Sequence, residues 1–177
     1  FPISEIYLEK SEYPSPKPQS EDESIAWDWF FQNRERHEKV LVQNSATLPA
    51  KNKPKMILLE ENELNSFDII NQIEKTNPGF IAVFGTGILS QYFLKKFPHC
   101  SYNLHIGDPQ FYRGSSCSFW PIYKGELQHL SATIHRIDQN IDTGDILSRQ
   151  AITVSKTDNE HTLLLKPLIL GTDLMIQ

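Results

Sequence analysis

Three observations predict an α/β fold with a mostly parallel central sheet flanked by helices. Strand-like and helix-like stretches alternate along the chain, residues 80–84 form a continuous apolar run with β-branched members, and polar residues cluster just after strand-like stretches. Alternation of this kind joins parallel strands through crossover helices, and an unbroken apolar strand suits a sheet covered on both faces. In such sheets ligands bind beyond the carboxyl ends of the strands.

In chain order, residues 3–8 read as a short strand, and the stretch 11–19, with Pro14, Pro16 and Pro18, as a loop. Ser20 and Glu23 fit the capping box of a helix whose first turn is acidic. Arg34, Arg36 and Lys39 put base near its end, as the helix dipole favours. Ile25, Ala26, Trp29 and Phe30 recur at helical spacing, which predicts a face on the core. Residues 56–59 form a second strand; Phe67, Ile69, Ile70 and Ile73 mark a helix ending before Pro78. The strand at 80–84 stops at Gly85-Thr-Gly87. Ile88, Leu89, Tyr92 and Phe93 then continue with helical spacing up to Pro98. Residues 102–106 alternate as a strand, 119–123 suit a short helix, and 132–138 and 146–154 read as strands. From about Asp158 the chain is helical in composition, with interruptions at Pro167 and Gly171.

The chain has 177 residues, 39% of them hydrophobic, and a formal net charge of −5. That suits one domain over 1–177, able to bury roughly 70% of its unfolded surface without metal or disulfide. Cys100 and Cys117 therefore need no staple role. No apolar run approaches the ~18 residues that cross a bilayer, and the start has no basic leader, so a cytoplasmic protein without a membrane partner is expected. The acidic balance argues against gripping a phosphate backbone, so nucleic acid is not an expected partner. The oligomeric state is not legible.

The stretch Ser101-Tyr-Asn-Leu-His-Ile-Gly107 carries the sharpest chemical signal, because a period of two puts Asn103 and His105 on one strand face. Two polar groups on one face of a buried strand need a reason, although an isolated Asn-x-His pair is ordinarily just hydrogen-bonded structure. A second polar cluster, Asp138-Gln-Asn-Ile-Asp142-Thr-Gly144-Asp145, sits in a tight turn between two strands. Alone it reads as a turn whose side chains bond their own backbone, and its spacing lacks the ligand ladder of a calcium loop. His37, His99, His129, His135 and His161 are scattered, and no Cys/His pair has zinc spacing, so no metal is expected. Gly85-Thr-Gly87 is too short for a dinucleotide fingerprint.

Taken in order, F-G-T-G-I-L (84–89), N-L-H (103–105), F-Y-R-G (111–114) and I-D-T-G-D-I-L (141–147) resemble the 10-formyltetrahydrofolate-dependent formyltransferases. That family includes glycinamide ribonucleotide, methionyl-tRNA and sugar amine formyltransferases, and residues 79–154 carry the likeness. The resemblance implies a Rossmann-like formyltransferase fold with Asn103, His105 and Asp142 as its catalytic residues. In that chemistry an amine attacks a formyl carbon. Asn103 and a protonated His105 would donate to the oxygen that gains charge, while Asp142 holds His105 charged and helps remove the amine proton. The resemblance also places the pterin end of 10-formyltetrahydrofolate, the formyl donor, against Ile88, Leu89 and the loop Asp138 to Ile141.

Three departures accompany it, the mildest being Leu130-Ser131-Ala132 where the family often carries glycine before its T-x-H strand. The family's S-L-L-P before Y-R-G is replaced by Gly107-Asp-Pro-Gln-Phe111, and a first strand and helix that the family has ahead of residues 3–8 are absent. The latter, with the Phe1 start, leads to the expectation of an N-terminally incomplete domain. The resemblance further implies a small-molecule amine acceptor. The stretch F-W-P-I-Y-K-G-E after Arg113 resembles formyltransferase-like proteins of surface glycan assembly and favours an amino-sugar nucleotide. Methionyl-tRNA or glycinamide ribonucleotide is the alternative acceptor, and a non-catalytic folate-binding module of a longer protein the alternative class.

Overall fold

The structure, a computed structural model, describes residues 3–10, 17–44 and 53–177. Most of the proline-rich loop, residues 11–16, lies outside the described residues. Six strands and five α-helices occur among them: β1 (Glu5–Glu9), α1 (Glu21–Asn44), β2 (Lys55–Leu59), α2 (Phe67–Lys75), β3 (Ile81–Val83), α3 (Gln91–Lys96), β4 (Ser101–His105), α4 (Phe119–Lys124), β5 (Ser131–Arg136), β6 (Ile146–Ala151) and α5 (Glu160–Ile176). None of these helices is long and apolar enough to cross a membrane.

The α/β class holds, while strand direction is mixed. β1 and β2 pair in parallel as one ribbon, and the other four strands form a sheet in the order β3-β4-β5-β6. β3 and β4 run parallel, but β4–β5 and β5–β6 are antiparallel, so the expected mostly parallel sheet is parallel only in its first half. The cause lies in the connections. Helices α1 and α3 carry the chain back between β1 and β2 and between β3 and β4, whereas β5 and β6 are joined by the short acidic turn alone.

Local chemistry sets the helix ends. Ser66 and Ser90 cap α2 and α3 by accepting from the N–H of Ile69 and Phe93, and Asn159 and Thr162 form a reciprocal capping box at α5. At α1 the Ser20 hydroxyl accepts from Glu23 N–H, and the Glu23 carboxylate accepts from Gln19 N–H. One core cluster joins the two sheets: Leu59 from β2 and Val83 from β3 bury against Ile70 and Ile73 of α2 and Phe93 of α3. A second packs Leu104, Ala132 and Ile134 against Leu168, Leu170 and Leu174 of α5.

Four expectations are corrected. α1 runs to Asn44, so Arg34, Arg36 and Lys39 are not in its last turn; Arg34 and Lys39 instead make i,i+4 pairs with Glu38 and Glu35. Its Ile25 and Trp29 are exposed, and the half-buried face is Trp27, Phe30, His37 and Leu41, because α1 packs against α5 and not on a sheet. β3 is three residues long, with Phe80 and Phe84 half exposed, so it is covered on one face only. α5 is continuous through Pro167 and Gly171, both buried. Packing against the sheet outweighs the backbone bond lost at proline.

Candidate active site

β4 holds Asn103 and His105 on the sheet face opposite α5, as the period of two predicts, with Leu104 turned into the α5 core. Antiparallel β5 brings Thr133 and His135 directly opposite them: Asn103 pairs with His135 and His105 with Thr133. The turn after β5 then returns Asp142 to the same spot in a left-handed conformation, φ 52°. Asn103, His105 and Asp142, far apart in sequence, thus converge.

Asp142 is the hub. Its Oδ2 accepts the Gly114 N–H at 2.8 Å and lies 3.3 Å from His105 Nδ1. Its Oδ1 lies 3.2 Å from His135 Nε2 and accepts from Asn103 Nδ2 at 3.4 Å. The far side of each imidazole also meets an acceptor. His105 Nε2 is 2.9 Å from the Tyr112 carbonyl, and His135 Nδ1 is 2.8 Å from the Arg136 carbonyl. Two acceptors per ring is the arrangement a charged imidazolium satisfies.

The two rings nonetheless respond differently. Burial is the largest influence on His105 and pulls its pKa below the ordinary value, only partly opposed by the Asp142 charge and the Tyr112 carbonyl. Burial also works against charge on His135, but there the Asp142 hydrogen bond and the Arg136 carbonyl outweigh it, and the pKa rises. For Asp142, burial favours the neutral acid, yet the bonds from His135 and Gly114 N–H together with the two nearby rings hold the carboxyl below its usual range. His135 is therefore the firmer charged partner of Asp142.

His135 is the member that sequence reasoning missed. The signal was present in the alternation Ser131-Ala-Thr133-Ile-His135, which puts three polar groups on one strand face. The replaced loop at 107–111 is ordered by its own acid: Asp108 accepts from Gln110 N–H and pairs with Arg149 at 2.8 Å, while its carbonyl accepts from Tyr112 N–H. Thr133 Oγ1 donates to the Gly107 carbonyl at 2.8 Å, tying this loop to β5.

The residues expected around the pterin are separated by the structure. Ile88 is exposed and Leu89 is buried in the α2–α3 core, so only backbone atoms of Leu89 are left for a ligand. Asp138 accepts from Thr143 Oγ1 at 2.8 Å and from Asn140 N–H at 3.0 Å, which folds the acidic turn on itself. Ile141 at its tip is exposed beside Asp142. Ile88, whose carbonyl accepts from Asn65 Nδ2 at 2.9 Å, and Ile141 both present exposed apolar side chains. Among the described residues no group of three or more His, Cys, Asp or Glu side chains could hold a metal ion.

A carboxylate shared by two buried imidazoles and an amide, at the carboxyl end of a parallel strand pair, defines an α/β protein with an acid–base site. The family model for formyl transferases matches residues 21–177, and the chain belongs to that family. The methionyl-tRNA formyltransferase of Thermodesulfovibrio yellowstonii is 31% identical over 121 residues, covering 68% of this chain and 39% of that protein. This chain thus spans about two fifths of the length of such relatives. The fold is shared with the phosphoribosylglycinamide formyltransferase of Bacillus halodurans, with a TM-score of 0.58 at 18% identity over 68% of this chain and 65% of that one. It is also shared with the formyltransferase PseJ of Anoxybacillus kamchatkensis, solved in complex with UDP-4,6-dideoxy-4-formamido-L-AltNAc and tetrahydrofolate. There the TM-score is 0.54 at 22% identity over 68% of this chain and 62% of that one.

Proposed function

We propose that residues 1–177 act as one catalytic unit that transfers the formyl group of 10-formyltetrahydrofolate to the primary amine of a small acceptor. The observation that carries this reading is the meeting of Asn103, His105 and His135 around Asp142. The folate supplies the activated formyl group, held against Ile88, the backbone at Leu89, and the turn from Asp138 to Ile141. Asn103 supplies an amide N–H donor where the formyl oxygen gains negative charge, the place where preorganised donors lower a barrier most. His105, whose two nitrogens face Asp142 and the Tyr112 carbonyl, gives a second when one of them turns to the substrate. Asp142, held low, is a strong counter-charge and a weak base. Its larger task is to keep an imidazolium beside the reacting centre, and its smaller one to pass on the amine proton, directly or through water.

The acceptor we favour is an amino-sugar nucleotide. The net charge of −5 supports a small acceptor over a polyanion, and the sugar nucleotide carried by PseJ supports the class. The names of the curated relatives favour a second reading, methionyl-tRNA as acceptor. Incubating the protein with 10-formyltetrahydrofolate and a panel of amino-sugar nucleotides, glycinamide ribonucleotide and methionyl-tRNA separates them. The expected result is tetrahydrofolate release that depends on an amino-sugar nucleotide. Release driven by methionyl-tRNA alone selects the second reading, and folate binding without any amine-dependent release reduces the protein to a folate-binding module.

A further inference from the structure

A cavity of about 470 Å³ lies between α1, α5 and the ends of β3 and β4, within the ~300–1,000 Å³ typical of small-molecule sites. Phe84 and Ile106, which directly follow β3 and β4, line it together with Ser116, Ser118 and Phe119. These residues adjoin the candidate active site. Ile106 follows His105, and Ser116 lies two residues past Gly114, whose N–H is held by Asp142.

His161 is the telling residue. It is 4% exposed and lines the cavity; its Nδ1 has no partner, and its Nε2 has only the Glu160 carboxylate at 3.5 Å, which does not meet hydrogen-bond geometry. The faces of the ring are taken by Trp29, Phe30 and His37, with centroids 5.0–5.7 Å away, so its nitrogens are the part left to bind. A buried imidazole nitrogen without a partner is costly, and proteins keep such groups where a ligand satisfies them. Around it the lining offers further donors: the Arg34 guanidinium and the hydroxyls of Ser116 and Ser118. Glu38 is the one carboxylate in the lining and is neutralised by Arg34 at 2.7 Å. Phe30, Phe84 and Phe119 add aromatic surface for a flat ring.

Donors beside aromatic faces, with the Glu160 carboxylate near Nε2 part-exposed to solvent and Nδ1 of His161 open, suit a diphosphate joined to a base. We infer that this cavity seats the nucleoside diphosphate portion of the acceptor, with His161 and Arg34 hydrogen-bonded to its phosphates. The acceptor's amine then reaches around the tips of β3 and β4 to Asn103 and His105. This assignment rests on the formyl-transfer reading for the identity of the acceptor, but the binding it claims stands by itself.

The test is calorimetric titration of the protein with UDP, ribose 5-phosphate and, separately, tetrahydrofolate. UDP is expected to bind, with ribose 5-phosphate at least about tenfold weaker for want of the second phosphate and the base. His161→Phe keeps the ring stack and removes the nitrogens, and Arg34→Gln lies on the exposed side of α1. Each should weaken UDP at least about tenfold, the size of losing a hydrogen bond to a charged group, and leave tetrahydrofolate affinity unchanged. Failure of UDP to bind a protein that binds tetrahydrofolate overturns the inference. So does equal affinity for ribose 5-phosphate, or UDP affinity indifferent to both substitutions. UDP binding that needs His161 in a protein that does not bind tetrahydrofolate supports the cavity and sinks the transfer reading instead.

Discussion

Oδ1 of Asp142 stands 3.2 Å from Nε2 of His135, while Oδ2 of the same carboxylate stands 3.3 Å from Nδ1 of His105. One charge thus organises both rings. Asp142→Asn is the mildest way to remove it, since asparagine tolerates the left-handed φ of 52° found there. The expected result is a fall of at least about 100-fold in amine-dependent tetrahydrofolate release, with folate affinity much less affected. A near-normal rate would refute the role given to Asp142.

The two imidazoles should titrate in opposite directions from the ordinary histidine value of about 6.5. His135 is raised and His105 lowered. Stability supplied by charged His135 is complete below about 6.5 and is lost as pH rises through its raised pKa; stability tied to neutral His105 is present above about 6.5 and lost as pH falls through its depressed one. Histidine NMR titration should therefore resolve one ring on each side, and Asp142→Asn should bring His135 down. The excess Tm of the protein over its His135→Gln variant should shrink as pH rises past about 6.5. An excess that grows with pH contradicts the assignment.

What was legible in the sequence were features written locally. The period of two at 102–106 placed Asn103 and His105 on one face, and the acidic turn placed Asp142 after a strand. His135 was overlooked because its meaning is non-local. Only the antiparallel register that sets it opposite Asn103 makes it a neighbour of Asp142. The face of α1 was misassigned for a related reason: helical spacing fits Ile25 and Trp29 as well as Trp27 and Phe30, and only the position of α5 decides which is covered. β3 read as buried on both sides because composition does not say which elements reach it.

Gly144 shows why the acidic turn contains glycine. A Cβ there would lie 1.8 Å from the Arg136 carbonyl oxygen, and the neighbouring Asp145 carbonyl accepts Arg136 N–H at 2.9 Å, so neither backbone can retreat. Gly144→Ala must tear this contact open. A loss of at least about 3 kcal/mol by urea unfolding is expected, with the rate falling as Asp142 moves away from both rings. Unchanged stability and rate would show that the turn is not pinned as described.

Cys117 lies beside the site but is not equipped as a nucleophile. Burial foremost, then the Asp142 charge, pushes its thiol up to about 11, and its Sγ donates to the Gly114 carbonyl at 3.3 Å. At mildly alkaline pH it should resist iodoacetamide, and treatment should leave the formyl-transfer rate unchanged. Rapid alkylation with parallel loss of rate would place a thiolate in the reaction.

Gly171 sets the distance between α5 and the sheet. In an exposed helix, alanine would be worth about 1 kcal/mol over glycine. Here its Cβ would lie 2.2 Å from Leu104 Cδ1 and 3.2 Å from Ala132 Cβ. Leu104 is itself buried among Ala132, Ile134 and Leu168, so it cannot swing clear without opening the core it shares with them. Overpacking of this kind costs about 1–3 kcal/mol, which exceeds the gain in helix propensity. Gly171→Ala is therefore expected to lower stability in urea unfolding, and Gly171→Val to lower it further. A rise in stability for Gly171→Ala would mean that α5 can stand away from β4, and with it that the α5 wall of the nucleotide cavity is not fixed.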